Sequence, residues 1–226
     1  MKELFKWIGF GLLMTVFLSC ESEKSKITLE PTGIRIQLTL NGPIYQGTFY
    51  SGYLPRTDYA IWIEDQNRQY VKTLRITRSV VSVGDYSHVD HLPTWMSKSG
   101  ITYDKLLEET GNQPGVAPSF EGVTSASPYF PSEDSTQTFV VEWDFTDSHG
   151  NAVSPGTYYF CAETANITKN EASSYTIQAE TTSGSIDLKK NQIIPASPTA
   201  HIRELTGEFV VEKALSKSGW GITEPK

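Results

Sequence analysis

The sequence predicts an all-β protein, an antiparallel sandwich carrying a short helical insert, and three observations lead there. Apolar and polar residues alternate with a period of two in several separate segments, which turns one face of each segment into a core. Clusters of Gly, Asn, Asp, Ser and Pro punctuate those segments as turns. Only one region, His88 to Glu109, abandons that period for the i, i+3, i+4 spacing of helix.

The N-terminus comes first, and it reads as a targeting segment rather than as part of the fold. Lys2 and Lys6 precede an apolar run from Trp7 to Leu18, shorter than the roughly 20 residues that span a bilayer and of the length of a signal-peptide core. The run closes in Val16-Phe17-Leu18-Ser19-Cys20, which resembles the bacterial lipoprotein signal, in which a diacylglycerol is attached to the cysteine before cleavage in front of it. The expected division is a signal peptide at 1–19, a polar tether at 20–33 with Cys20 as the lipid attachment point, a sandwich domain at 34–213 and a tail at 214–226. An ordinary secreted protein or an uncleaved anchor is the competing reading.

Within the domain, Ile34 to Leu40 alternates strictly and is stopped by Asn41-Gly42-Pro43. Ile44 to Tyr53 reads as an aromatic-rich strand with Gly47 and Gly52 as bulges. Asp58 to Asp65 and Tyr70 to Arg78 flank the polar Gln66-Asn67-Arg68 and form an expected hairpin. His88 to Lys98 and Thr102 to Glu109 are the helical insert: Pro93 suits a first helical turn, Leu92, Trp95 and Met96 share a face, and Thr102 is a candidate N-cap. That apolar stripe is expected to plug one end of the sandwich. Asn112 to Ser135 is Pro/Ser/Gly-rich and longer than the roughly 12–15 residues of ordinary structureless loops, so the insert and long loop occupy about 86–135 and form the expected contact surface.

The strongest signal is Thr138 to Glu163. Phe139, Val141, Trp143 and Phe145 fall on one face, a turn follows at Thr146 to Asn151 with Gly150 free to take positive φ, and Tyr158, Phe160 and Ala162 face inward on the return. The two strands are expected to pair as a hairpin at the centre of the core. Ala172 to Thr181 is a further strand, turned at Ser183-Gly184 so that Ser185 to Lys189 pairs back, and Glu204 to Lys213 is the last.

A family resemblance enters on these residues. Trp62 to Leu74, His91 to Trp95, the Glu121 loop and Val141 to Glu163 together resemble a bacterial domain of unknown function described as a predicted periplasmic protein. The closing part is similar to the immunoglobulin-like repeat of flagellar hook-capping proteins, through Trp143-Asp144, Asp147, Gly150, Val153, Gly156 and Tyr158. The likeness covers about Ile34 to Glu180. It implies an immunoglobulin-like antiparallel β-sandwich outside the cytoplasm and implies no catalytic residues.

Charge and candidate chemistry narrow the function classes. A net charge of −7 argues against binding nucleic acid or an anionic membrane, leaving the lipid as the membrane contact and an envelope protein as the partner class. With Cys20 lipidated, Cys161 lacks an intramolecular disulfide partner and reads as a small packed residue. Glu121 to Ser127 resembles, in degenerate form, the site at which a flavin transferase attaches FMN to exported proteins. That resemblance makes Ser127 the acceptor hydroxyl and Thr124 an accompanying contact, against the plainer reading of a polar loop whose hydroxyls cap turns. His88, Asp90 and His91 are possible metal ligands within four residues; surface histidines beside a helix start are the plainer reading. Asp144 and Asp147 lack the dense oxygen loop of a calcium site. No Gly-x-Ser-x-Gly elbow or phosphate-cradling glycine loop is present, and Glu64 and Asp65 would point to opposite faces of a strand. The expectation is therefore a lipid-anchored binding or scaffolding module that is not an enzyme and needs no cofactor, with an FMN-bearing redox accessory as the alternative.

Overall fold

The computed structural model describes residues 30–42, 57–82, 89–110, 123–128, 130, 134–169 and 175–211. The signal segment, Cys20, the Ile44–Tyr53 strand, His88, Glu121 and the tail from 212 lie outside the described residues. Among those described, nine strands form two sheets. They are β1 (Gly33–Asn41), β2 (Thr57–Glu64), β3 (Tyr70–Thr77), β4 (Val123–Ser125), β5 (Thr136–Trp143), β6 (Thr157–Lys169), β7 (Tyr175–Asp187), β8 (Gln192–Ile194) and β9 (Ile202–Val210). One sheet has the order β5-β1-β9 and the other β4-β3-β2-β6-β7-β8. All pairs are antiparallel except β3 with β4.

The facing sides of the sheets share one core. Ile34, Ile36, Leu38 and Leu40 of β1 are fully buried against Tyr59, Ile61 and Ile63 of β2 and Tyr158, Phe160 and Ala162 of β6, while Arg35 between them points out to Glu142 and Glu208. Each such apolar side chain contributes roughly 1.5–3 kcal/mol on burial, so the alternation seen in the sequence is the main stabilising element of the sandwich. Phe139, Val141 and Phe145 are half-buried and Trp143 fully buried on the expected face.

Their expected pairing is overturned. The strands β5 and β6 do not form a hairpin: β5 pairs with β1 and β6 with β2, so residues 144–156 arch from one sheet to the other. A period of two reveals which face is inward, and two inward faces can oppose each other across a core as well as lie side by side. Here they oppose, with the Trp143 and Tyr158 rings edge-on at 5.2 Å. The arch is self-braced. Asp147 accepts from the amides of His149 and Asn151, Gly150 takes φ +78°, and the Tyr158 hydroxyl donates to the Ser154 carbonyl at 2.7 Å.

Three further expectations are corrected. No turn occurs at Ser183-Gly184, because β7 runs straight through it; the glycine is there for a close approach, since a Cβ would lie 2.2 Å from Cζ of Phe160. The Asn112–Ser135 segment contains β4, paired to β3 through Arg75 to Thr77, and Phe130 of that segment is buried. The helical insert does not plug an end. Helix α1 (Arg78–Val81), a 3-10 turn (Val89–His91), α2 (Pro93–Ser99) and α3 (Tyr103–Thr110) supply residues to a second core on the outer face of the larger sheet, where Val80, Val81, Leu92, Trp95 and Leu106 meet Ala60, Trp62, Ile76, Cys161 and Ala165. No helix among the described residues is long and apolar enough to cross a membrane.

Candidate functional site

The covered outer face carries acids as well as apolar groups. In β2, Asp58, Ala60, Trp62 and Glu64 share it, and opposite them in register stand Ala165, Glu163, Cys161 and Tyr159 of β6. Asp58, Glu64 and Glu163 are all nearly or wholly inaccessible, and buried carboxylates persist only where charge or hydrogen bonds compensate their lost hydration. Each of the three is satisfied by part of the helical layer or by the neighbouring β-turn.

Asp58 is the hub. Its Oδ2 lies 2.7 Å from Nδ1 of His91, whose Nδ1–H donates to it, and its Oδ1 accepts from the Ser79 hydroxyl at 2.5 Å and the Ser127 hydroxyl at 3.1 Å. The two serine oxygens are 3.0 Å apart. Burial works to raise the Asp58 pKa, but hydrogen bonds from His91, Ser79 and Thr77 and the charge of His91 outweigh it and hold the carboxyl below its usual value. Two motifs from different parts of the chain thus meet on one carboxylate. Ser127 comes from the suspected flavin loop and His91 from the suspected metal cluster.

The arrangement differs from what either motif implies. Of the metal candidates, His91 is buried on Asp58 and Asp90 is exposed, and no group of three or more His, Cys, Asp or Glu among the described residues is placed to hold an ion. Of the flavin candidates, Thr124 is exposed on β4 while Ser127 is half-buried and spent on Asp58, so the expected accessible, flexible loop is a strand at this point. Nor is the cluster a hydrolytic triad, in which an imidazole lies between hydroxyl and carboxylate. Both hydroxyls and the imidazole converge on the acid, an arrangement that locks strand, helix and loop together. Cys161, 2 % exposed, is no nucleophile either: burial and then the Glu64 carboxylate push its thiol far above the ordinary range.

The other two acids act as clamps. Glu163 accepts from the backbone amides of Thr94 at 3.0 Å and Trp95 at 2.7 Å, capping from β6 a helix that has no side-chain cap of its own. Glu64 receives the Trp62 indole N–H at 3.0 Å and ion pairs from Arg68 and Lys98. Replacing Glu163 by alanine is expected to cost about 1–3 kcal/mol, the usual penalty for stranding buried donors, and Glu163→Gln less. Urea unfolding of the three proteins measures both, and an unchanged midpoint for the alanine variant would remove the capping role.

Sequence reasoning missed Asp58, Ser79, Glu163 and the site on the opposite flank. There the edges of β3 and β5 border a groove of about 670 Å³. Val140 and Val141 supply apolar surface, and Lys72, Arg75, Glu142 and Asp144 are its charged lining. Lys72 pairs with Asp144 at 3.6 Å and Glu142 with Arg35 at 2.9 Å. Arg75 donates to the Val140 carbonyl at 3.3 Å, lies 5.4 Å over the Phe139 ring, and leaves its Nε buried without a hydrogen-bond partner. No protein-family model, curated protein or solved structure matches this chain significantly.

Proposed function

We propose that this chain is a lipid-anchored module of the bacterial cell envelope, an immunoglobulin-like sandwich that binds or scaffolds an envelope protein without catalysing a reaction. The single observation that carries the binding reading is the groove between β3 and β5, whose volume falls in the roughly 300–1,000 Å³ range of binding clefts and whose β5 rim is an open strand edge among the described residues. The helical insert is a weaker candidate surface, because its apolar residues are spent on the sheet. The immunoglobulin-like reading is supported by the neighbour order β7-β6-β2-β3, which parallels the G-F-C-C′ sheet of such domains, with β1 and β5 standing opposite as B and E. It is supported too by Tyr158, whose bond to Ser154 after a change of sheet has the form of a tyrosine corner. Strand β9 then occupies the place of a first strand.

Metabolic labelling with an alkyne fatty acid tests the anchor: the wild-type chain is expected to label and to sediment with membranes, and Cys20→Ser to do neither. Labelling of the serine variant would end the lipoprotein reading. A photo-crosslinking residue at Val140 is expected to capture an envelope protein that the same residue at Glu204, exposed on β9, does not capture; equal capture at both positions would remove the groove from consideration. A second reading, FMN attached through a phosphoester, draws support from exposed Thr124 more than from Ser127. Co-expression with a flavin transferase followed by intact mass decides it, and an unmodified mass disposes of it.

A further inference from the structure

The groove has a chemistry of its own, and its occupant can be narrowed, provided the binding reading above holds. Two of its features point the same way. The first is a strand edge: β5 pairs with β1 on one side, no described strand pairs with the other, and the Val140 side chain stands exposed on it. Natural proteins leave a long apolar edge open at a cost in aggregation and normally cover or charge it. The Val140 carbonyl accepts from Arg75 across the groove, so it faces the side of β5 on which no described strand pairs, and a carbonyl oxygen keeps a second lone pair for an incoming N–H.

The second feature is charge. Of the four charged residues lining the groove, Lys72 and Asp144 neutralise each other and Glu142 is held by Arg35. Arg75 has no carboxylate partner among the described residues. Its guanidinium is fixed between the Phe139 ring and the Val140 carbonyl, with one N–H left unsatisfied away from solvent. A part-buried guanidinium without a counter-ion is costly, and the planar fork pairs best with a carboxylate.

We propose that the groove receives an extended acidic segment of a partner polypeptide, which adds as a strand to the open edge of β5 and sets an Asp or Glu carboxylate on Arg75. Strand addition supplies main-chain hydrogen bonds, and the carboxylate supplies register and selectivity. Exposed Val140 and half-buried Val141 offer apolar contact to the neighbouring side chains of the incoming strand.

A random decapeptide library displayed on phage and selected on the full chain tests the proposal, with enriched peptides synthesised and titrated calorimetrically. Enriched sequences are expected to hold an acidic residue within an apolar alternation and to slow amide exchange at Val140 to Trp143. Arg75→Gln is expected to weaken them tenfold or more and Arg75→Lys by less, in proteins whose melting temperature is unchanged. Val140→Pro, which removes an edge N–H while leaving the charge in place, is expected to weaken them as well. Peptides that protect the β5 edge yet carry no acid and bind Arg75→Gln normally would overturn the acidic segment and leave the groove as a binding site. A selection yielding nothing that protects the β5 edge would overturn both.

Discussion

Replacing Asp58 with alanine is expected to destabilise the protein by about 3 kcal/mol or more, since each buried donor left without its acceptor costs about 1–3 kcal/mol. The loss has three parts on one face: the imidazole of His91 is left buried without its acceptor, and the hydroxyls of Ser79 and Ser127 lose the oxygen they share. Asp58→Asn preserves shape and part of the hydrogen bonding, so it separates charge from volume. The sign of the pH effect follows from the depressed pKa. A carboxyl whose folded pKa lies below its unfolded value of about 3.9 contributes stability that is fully present above that value and is lost as pH falls through the folded one. Urea midpoints for wild type and Asp58→Asn should therefore differ most at neutral pH and converge in strong acid. Asp144, Asp147 and Asp187 are also depressed, but they are common to both proteins and cancel in the difference. An equal gap at pH 7 and in strong acid would show that the charge of Asp58 is not what holds the cluster.

Gly184→Ala is the second large effect. The methyl would lie 2.2 Å from Cζ of Phe160 and 2.6 Å from the carbonyl oxygen of Ile194, closer than any real Cβ contact. Phe160 is wholly buried and its ring has no outward escape, so the strain must enter the β6-β7-β8 ladder. Overpacking of this kind costs about 1–3 kcal/mol and occasionally more, and a backbone obstacle beside the ring puts this site at the upper end. In a Phe160→Leu background the same substitution should cost clearly less, because one of the two obstacles is gone. Thermal unfolding of the four proteins gives the coupling; simple additivity would mean that the ring is not the obstacle.

Gly184 also shows where the sequence was legible and where it was not. A Ser-Gly pair between polar residues reads as a turn because glycine tolerates turn dihedrals, and nothing local distinguishes that use from making room for a ring on the neighbouring strand. The inward faces of β1, β5 and β6 were readable because a period of two is a local property. Which strand each would lie beside was not, since Ile36 meets Val141 and Gly207 through contacts that no local pattern encodes. One local pattern does encode the third layer. Ala60-Ile61-Trp62-Ile63 is a continuous apolar run, the mark of a strand buried on both faces, and β2 is buried along its whole length. That run implies a third layer, and with it that Asp58 and Glu64 would be covered and need partners. Arg75 was unreadable for a different reason: an isolated arginine in a strand looks solvent-facing until the opposing Phe139 is known.

The placement of β1 at the centre of the smaller sheet has a consequence for how the chain is made. Its two flanking strands are synthesised long after it, the bonds of Arg35 spanning 107 positions to Glu142 and 173 to Glu208. The backbone edges of β1 therefore stay unpaired until β5 and then β9 have been made, although its aliphatic face can meet Tyr59, Ile61 and Ile63 much earlier, and contacts of such long range form slowly. The smaller sheet closes only when the Thr32 amide reaches the carbonyl of Val210, so a chain ending before Ile202 leaves one edge of β1 bare, and such an unpaired edge is a template for aggregation.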